Sequence, residues 1–311
     1  MMATNLQRVL ESGTFAVTAE CGPPRGPDAE AVRKKGVFLK RHVDAVNVTD
    51  NQTAVVRMSS LAGCLILKEM GFDPVMQVVC RDRNRIALQS DILGASALGI
   101  GNILCLSGDH QKFGDHPGAK NVFDIDSIQL IRCANRMVLE GKLLSDREIV
   151  PKPELYVGCV ENPFADPFDI RALRLAKKVN AGARFIQTQC VFNVEKFEEW
   201  MARVRDLGLH DRIHILAGVT PLKSVKMAAY MRASVPGMDV PEDLLDRLKG
   251  VPQGQAAAEG LKIALETIAR VRTIPGVAGV HIMAIEEEAR VPEIVQAAGL
   301  FPRPSIETAG P

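Results

Sequence analysis

Short apolar runs recur along the chain, each closed by polar residues and followed by a stretch whose apolar positions fall three and four residues apart. Runs of the first kind predict buried strands, and stretches of the second kind predict helices with one buried face. In the first run, residues 15–21, alternation places Ala16, Thr18 and Glu20 on one face and Phe15, Val17 and Ala19 on the other. The run breaks at once into Gly-Pro-Pro-Arg-Gly, so Glu20 stands at the carboxyl end of a strand. Parallel α/β sheets bind their ligands at that end.

The pattern repeats. A helix at 27–42 precedes a second strand with Ala45, Asn47 and Thr49 on one face. Polar residues there are unexpected for a sheet buried on both sides, so this face is expected to look into a polar barrel mouth. A third strand carries Gln77, and a fourth, NILCLSGD, ends in Ser107, Gly108 and Asp109. The loop after it is rich in Gly, Asp, His and Lys and is long for a strand-to-helix connection, which favours a binding loop. Strand five ends near Glu161, and strand six puts Phe185, Gln187 and Gln189 on one face. After strand seven come a helix at 222–234 and two further helical stretches at 241–249 and 253–271, an insertion before the last strand. A helix at 289–299 and a Pro-rich tail at 301–311, either disordered or docked on a neighbour, close the chain; a short amphipathic helix opens it.

About eight strand-then-helix units without a break in composition predict one (β/α)₈ barrel, a TIM barrel spanning residues 1–311. An open doubly wound sheet is the alternative, weakened because no strand is followed by GxGxxG. The Gly-Ile-Gly-Asn at 99–102 precedes a strand and reads as a turn.

The 47% hydrophobic content is ample for a large core, and the net charge of +1 lacks the basic excess that nucleic acid or an anionic membrane surface requires. No apolar run approaches the roughly 20 residues of a membrane span, and residues 1–13 lack a signal-peptide layout, so a cytoplasmic protein is expected. Seven dispersed cysteines without a CxxC pair suit reduced thiols and offer no local metal or cluster ligands.

A barrel gathers its strand ends at one mouth, bringing together Glu20, Asn47, Thr49, Gln77, Asp109, Glu161, Gln187 and Gln189. Amides that donate and accept suit the edges of a flavin or pterin, and two separated carboxylates can take different protonation roles. Purely structural roles stay open: Glu20 and Asp109 as caps of the segments after them, Asn47 and Thr49 as strand-end ties, His281 as a hydrogen-bonded core histidine, and Glu286 to Glu288 as a solvated helix start.

The stretches TAECGPPRG, VNVTDN, NILCLSGD, KVNAGARFIQTQCVF and ILAGVTPL together resemble the methylenetetrahydrofolate reductase family, in order and across the chain. The resemblance implies a flavin-containing barrel that reduces 5,10-methylenetetrahydrofolate to 5-methyltetrahydrofolate. By the same resemblance Glu20 matches the catalytic glutamate, Asp109 the aspartate beside flavin and folate, Gln189 a pterin contact and Thr49 a flavin contact. The flavin would further be met by Gln77, Ser107, Gly108, Phe123, Asn180 and Arg184. The chain departs from the family pattern at Ser107 (usually Arg), Asn180 (Asp), Phe123 (Tyr in many members) and Gln77 (His in many), which leaves FAD or FMN open.

The chain looks closest to the short forms of anaerobes, some of which work with a cysteine-rich partner subunit. The expected electron donor is therefore NAD(P)H or a partner iron–sulfur protein, and a homo-oligomer or such a complex is implied. Two alternatives remain: a flavin- or pterin-binding subunit without turnover of its own, and a deazaflavin-dependent methylenetetrahydromethanopterin reductase.

Overall fold

A computed structural model describes residues 3–304, in which eight parallel strands close into a barrel in sequence order. They are β1 (Ala16–Cys21), β2 (Ala45–Val48), β3 (Pro74–Val79), β4 (Asn102–Leu106), β5 (Tyr156–Glu161), β6 (Phe185–Cys190), β7 (His214–Val219) and β8 (Val277–Ile282). The helices are α1 (Asn5–Glu11), α2 (Ala29–Leu39), α3 (Ser60–Glu69), α4 (Arg85–Ala97), α5 (Ser127–Glu140), α6 (Arg171–Ala181), α7 (Val194–Asp206), α8 (Val225–Ser234), α9 (Glu242–Gly250), α10 (Ala256–Val271) and α11 (Val291–Ala297). Helix limits follow local chemistry. The Asp28 carboxylate accepts from the Glu30 and Ala31 N–H groups at the start of α2, and Asp126 and Gln129 form a reciprocal capping box on α5.

The strands alternate between two cores. Outward residues such as Val17, Val46, Ile103, Cys159 and Ile186 pack under the helices, while inward residues low in the barrel, including Val75, Leu104, Phe185 and Leu216, meet Leu6, Val9 and Leu10 of α1. The opening helix thus plugs the amino-terminal floor. Asp73 secures it, accepting from the Leu6 N–H at 2.8 Å and from the Asn102 amide at 2.8 Å.

The insertion differs in one respect from the expectation. Helix α10, rather than α8, supplies the apolar face that covers the barrel beside β7, through Ala264, Ile268 and Val271 in the main core. Helices α8 and α9 share a satellite core with Leu222, Met231, Leu244 and Leu248. The reason is contact distance: α10 approaches so closely that a Cβ at Gly260 would lie 1.8 Å from the Leu222 carbonyl oxygen. Gly260→Ala is therefore expected to destabilise the fold by about 1–3 kcal/mol, the usual cost of overpacking. Urea denaturation checks it; a midpoint equal to wild type would mean that α10 retreats freely.

Beyond α11 the chain returns to the floor. The Arg303 guanidinium donates to Asp44 Oδ2 at 2.7 Å and to the Phe15 carbonyl at 2.8 Å, with Asp44 also accepting from the Val17 N–H at 2.7 Å. The first residues of the expected Pro-rich tail are thus docked on the chain's own barrel, and residues 305–311 lie outside the described residues.

Candidate functional site

The upper half of the lumen is polar. Two inward amides, Asn47 of β2 and Gln187 of β6, form a reciprocal pair, with Asn47 Nδ2 donating to Gln187 Oε1 at 2.6 Å and Gln187 Nε2 donating to Asn47 Oδ1 at 3.0 Å. Gln187 Nε2 also donates to Thr18 Oγ1 at 3.3 Å. Thr18 lies 2.8 Å from His281 Nδ1, and the other ring nitrogen of His281 faces Glu20 Oε1 at 3.6 Å. Gln77 Nε2 donates to the same Glu20 oxygen at 3.5 Å. This floor underlies a cavity of about 420 Å³ at the carboxyl ends of the strands.

Of the residues expected at the site, Glu20, Gln77, Ser107, Gly108, Asp109, Glu161, Gln187 and Gln189 line this cavity. Gly108 adopts φ +88°, and a Cβ there would come 3.1 Å from the Val79 Cβ, so both conformation and space call for glycine. The Asp109 carboxylate accepts from the Thr53 N–H at 3.1 Å. Thr49 is buried just beyond β2 with a hydroxyl that has no hydrogen-bond partner. Ser107 bonds to Ser127 at 3.2 Å.

Besides Thr49, which is buried behind the cavity lining, three expected flavin contacts do not join the cluster. Phe123 is half exposed on the loop before α5, its N–H bonded to the Cys80 carbonyl, and does not line the cavity. Asn180 sits in the last turn of α6, where its side-chain Oδ1 accepts from the Arg212 guanidinium at 3.0 Å, and Arg184 immediately precedes β6. Both belong to the amino-terminal face, the wrong end of the barrel for the mouth, because α6 runs antiparallel to the strands. Glu161 follows the outward register of β5 and is held by Lys178 of α6 at 2.7 Å in a buried pair.

The structure adds cations that strand patterning does not single out. Arg171, Arg174 and Lys178 line the cavity from α6, at a spacing of three and four residues that places them on one helical face. Arg81 is buried just beyond β3, paired with Asp82 at 2.7 Å while donating to the carbonyls of Asp109 at 3.0 Å and Asn51 at 3.1 Å. It cross-links the loops that come after β2, β3 and β4. Burial pushes the Asp50 carboxyl above the usual carboxylate range against the pull of Arg83, and pushes the Cys21 and Cys190 thiols up to about 12. Among the described residues no group of three or more His, Cys, Asp or Glu side chains is placed to hold a metal ion, and no helix is long and apolar enough to cross a membrane.

Comparison with known proteins agrees with this architecture. The family model of methylenetetrahydrofolate reductase matches residues 5–299. A probable methylenetetrahydrofolate reductase (NADPH) of Caenorhabditis elegans is 24% identical over 260 residues, covering 81% of this chain and 36% of that protein. Methylenetetrahydrofolate reductase 1 of Schizosaccharomyces pombe is 25% identical over 239 residues, covering 76% and 37%. The chain thus spans little more than a third of the length of these relatives. An uncharacterised Clostridium thermocellum protein that binds two copies of 5-methyl-5,6,7,8-tetrahydrofolic acid shares the fold, with a TM-score of 0.63, 14% identity and coverage of 94% and 97%.

Proposed function

Because the chain belongs to the methylenetetrahydrofolate reductase family, we propose that it reduces 5,10-methylenetetrahydrofolate to 5-methyltetrahydrofolate with a flavin held at the barrel mouth. The observation that carries this reading is Glu20, a half-buried carboxyl opening on the cavity above an amide-lined floor, with Asp109, from the loop after β4, lining the same cavity. The residues present fit a flavin. A volume near 420 Å³ suits an organic ligand, and Arg171 and Arg174 on the cavity wall offer charge for a phosphate.

A reduced flavin, when bound, supplies the hydride. The chain's own residues must open the five-membered ring of the folate, which needs a proton toward N10. Glu20 delivers it as general acid, and the fixed carboxylate of Asp109 stabilises the cation that opening creates. Gln189 orients the pterin. With no cluster ligands among the described residues, the electron donor would be a nicotinamide or a partner chain. A cytoplasmic location and a homo-oligomer or partner complex accompany this reading.

The test is reconstitution with FAD or FMN, followed by the absorbance spectrum and the mass of the cofactor released on denaturation. One flavin per chain, reoxidised by methylenetetrahydrofolate after chemical reduction, is expected. A protein that stays colourless after reconstitution sinks the proposal, and release of a deazaflavin replaces it with the methanopterin reaction. Flavin without reoxidation by folate favours a binding subunit.

A further inference from the structure

We propose that Gln77 and His281 form a two-donor cradle on Glu20 Oε1, with the histidine tautomer fixed by Thr18, and that the cradle tightens as the proton leaves Oε2. This rests on the reading of Glu20 as the acid and adds residues to which no role in proton delivery has been given. Both nitrogens converge on one oxygen, Gln77 Nε2 at 3.5 Å and His281 Nε2 at 3.6 Å. No hydrogen bond within the described residues involves Oε2, and the carboxyl opens on the cavity.

The tautomer follows from counting protons. Both Gln187 Nε2 hydrogens are used, on Asn47 Oδ1 and Thr18 Oγ1, so Thr18 contributes its own proton. It has two acceptors in reach, His281 Nδ1 at 2.8 Å and the Val280 carbonyl at 3.5 Å. Donation along the shorter path makes Nδ1 an acceptor and leaves the hydrogen of the neutral ring on Nε2, facing Glu20. The imidazole is buried, and Thr18 is its register partner on β1, so the ring has little freedom to turn away.

Distances at the edge of hydrogen bonding are expected before charge develops, since catalytic contacts of this kind shorten in the reacting complex. As Glu20 gives up its proton, Oε1 gains negative charge and both N–H donors strengthen. That is stabilisation of the developing carboxylate by fixed dipoles. Cys21 and Cys190 also sense Glu20, but their thiols, pushed up to about 12, stay neutral. The remaining ionisable groups on the cavity wall are Asp50, Asp109 and Glu161 with Arg81 and the three cations of α6. Substitution of Thr18, Gln77 or His281 alters none of them.

The experiment compares His281→Phe, Gln77→Leu and Thr18→Val in two measurements. With flavin bound, the folate half-reaction is expected to slow about 10–100-fold in His281→Phe, with flavin reduction changing far less and no further loss when Glu20→Gln is combined with it. In the flavin-free protein, the Glu20 carboxyl, followed by ¹³C NMR of labelled glutamate, should titrate at higher pH in each variant, because donors to the charged form have been removed or released. If His281→Phe fails to fold, Thr18→Val and Gln77→Leu carry the test. A Glu20 titration that stays where it is in the folded variants overturns the proposal, as does equal slowing of both half-reactions. A wild type inactive toward folate would instead strike the functional reading and leave the titration arm intact.

Discussion

Glu20→Gln is expected to keep the fold and the flavin and to slow methylenetetrahydrofolate reduction by at least about 10²-fold, the low end of what general acid catalysis contributes. Glutamine is nearly isosteric, and its amide can still meet Gln77 and His281, so the packing above the amide floor survives while the transferable proton is lost. Reduction of the flavin needs no proton from this residue and should change far less. Rapid mixing separates the steps, with donor reducing the flavin in one experiment and methylenetetrahydrofolate reoxidising it in the other. Equal slowing of both would mean that Glu20 holds the cofactor, and slowing of neither would remove it from the chemistry.

The second large effect concerns stability. Arg303→Met is expected to destabilise the protein by about 3–5 kcal/mol, because it strands the Asp44 carboxylate in the floor without its counter-charge. The side chains of Asp44 and Arg303 are 1% and 9% exposed, so water does not replace the lost partner. The double change Asp44→Asn with Arg303→Met should recover much of the loss, since asparagine still accepts from the Val17 N–H and no charge remains buried. Denaturant midpoints at unchanged slope measure both. A loss below about 1 kcal/mol for Arg303→Met would class the pair with exposed ion pairs.

Strand periodicity makes the barrel and half of its site legible in the sequence. A period of two carries Thr18 with Glu20, Asn47 with Ala45, and Gln187 with Phe185, so the inward set needs no tertiary information once the strands are recognised. His281 obeys the same rule, but its value depends on Thr18 and Glu20, which lie some 260 positions away in the chain and meet it only when β8 closes against β1. The α6 cations carry a local signal in their three- and four-residue spacing. Residue patterns alone do not show which end of a helix faces the mouth unless its direction is traced. Asn180 and Arg184 lie a few positions before Gln187 and Gln189, yet a strand of six residues climbs about 20 Å, enough to separate floor from mouth. Arg81 escapes for another reason: its position past the strand end reads as the start of a charged loop, whereas its reach joins three loops.

The plug formed by Leu6, Val9 and Leu10 makes the lumen a blind well. Any molecule that reaches Glu20 enters between the strand-end loops and leaves by the same opening. With a single opening, a departing molecule and its successor share one path, so a slow departure would delay the next arrival.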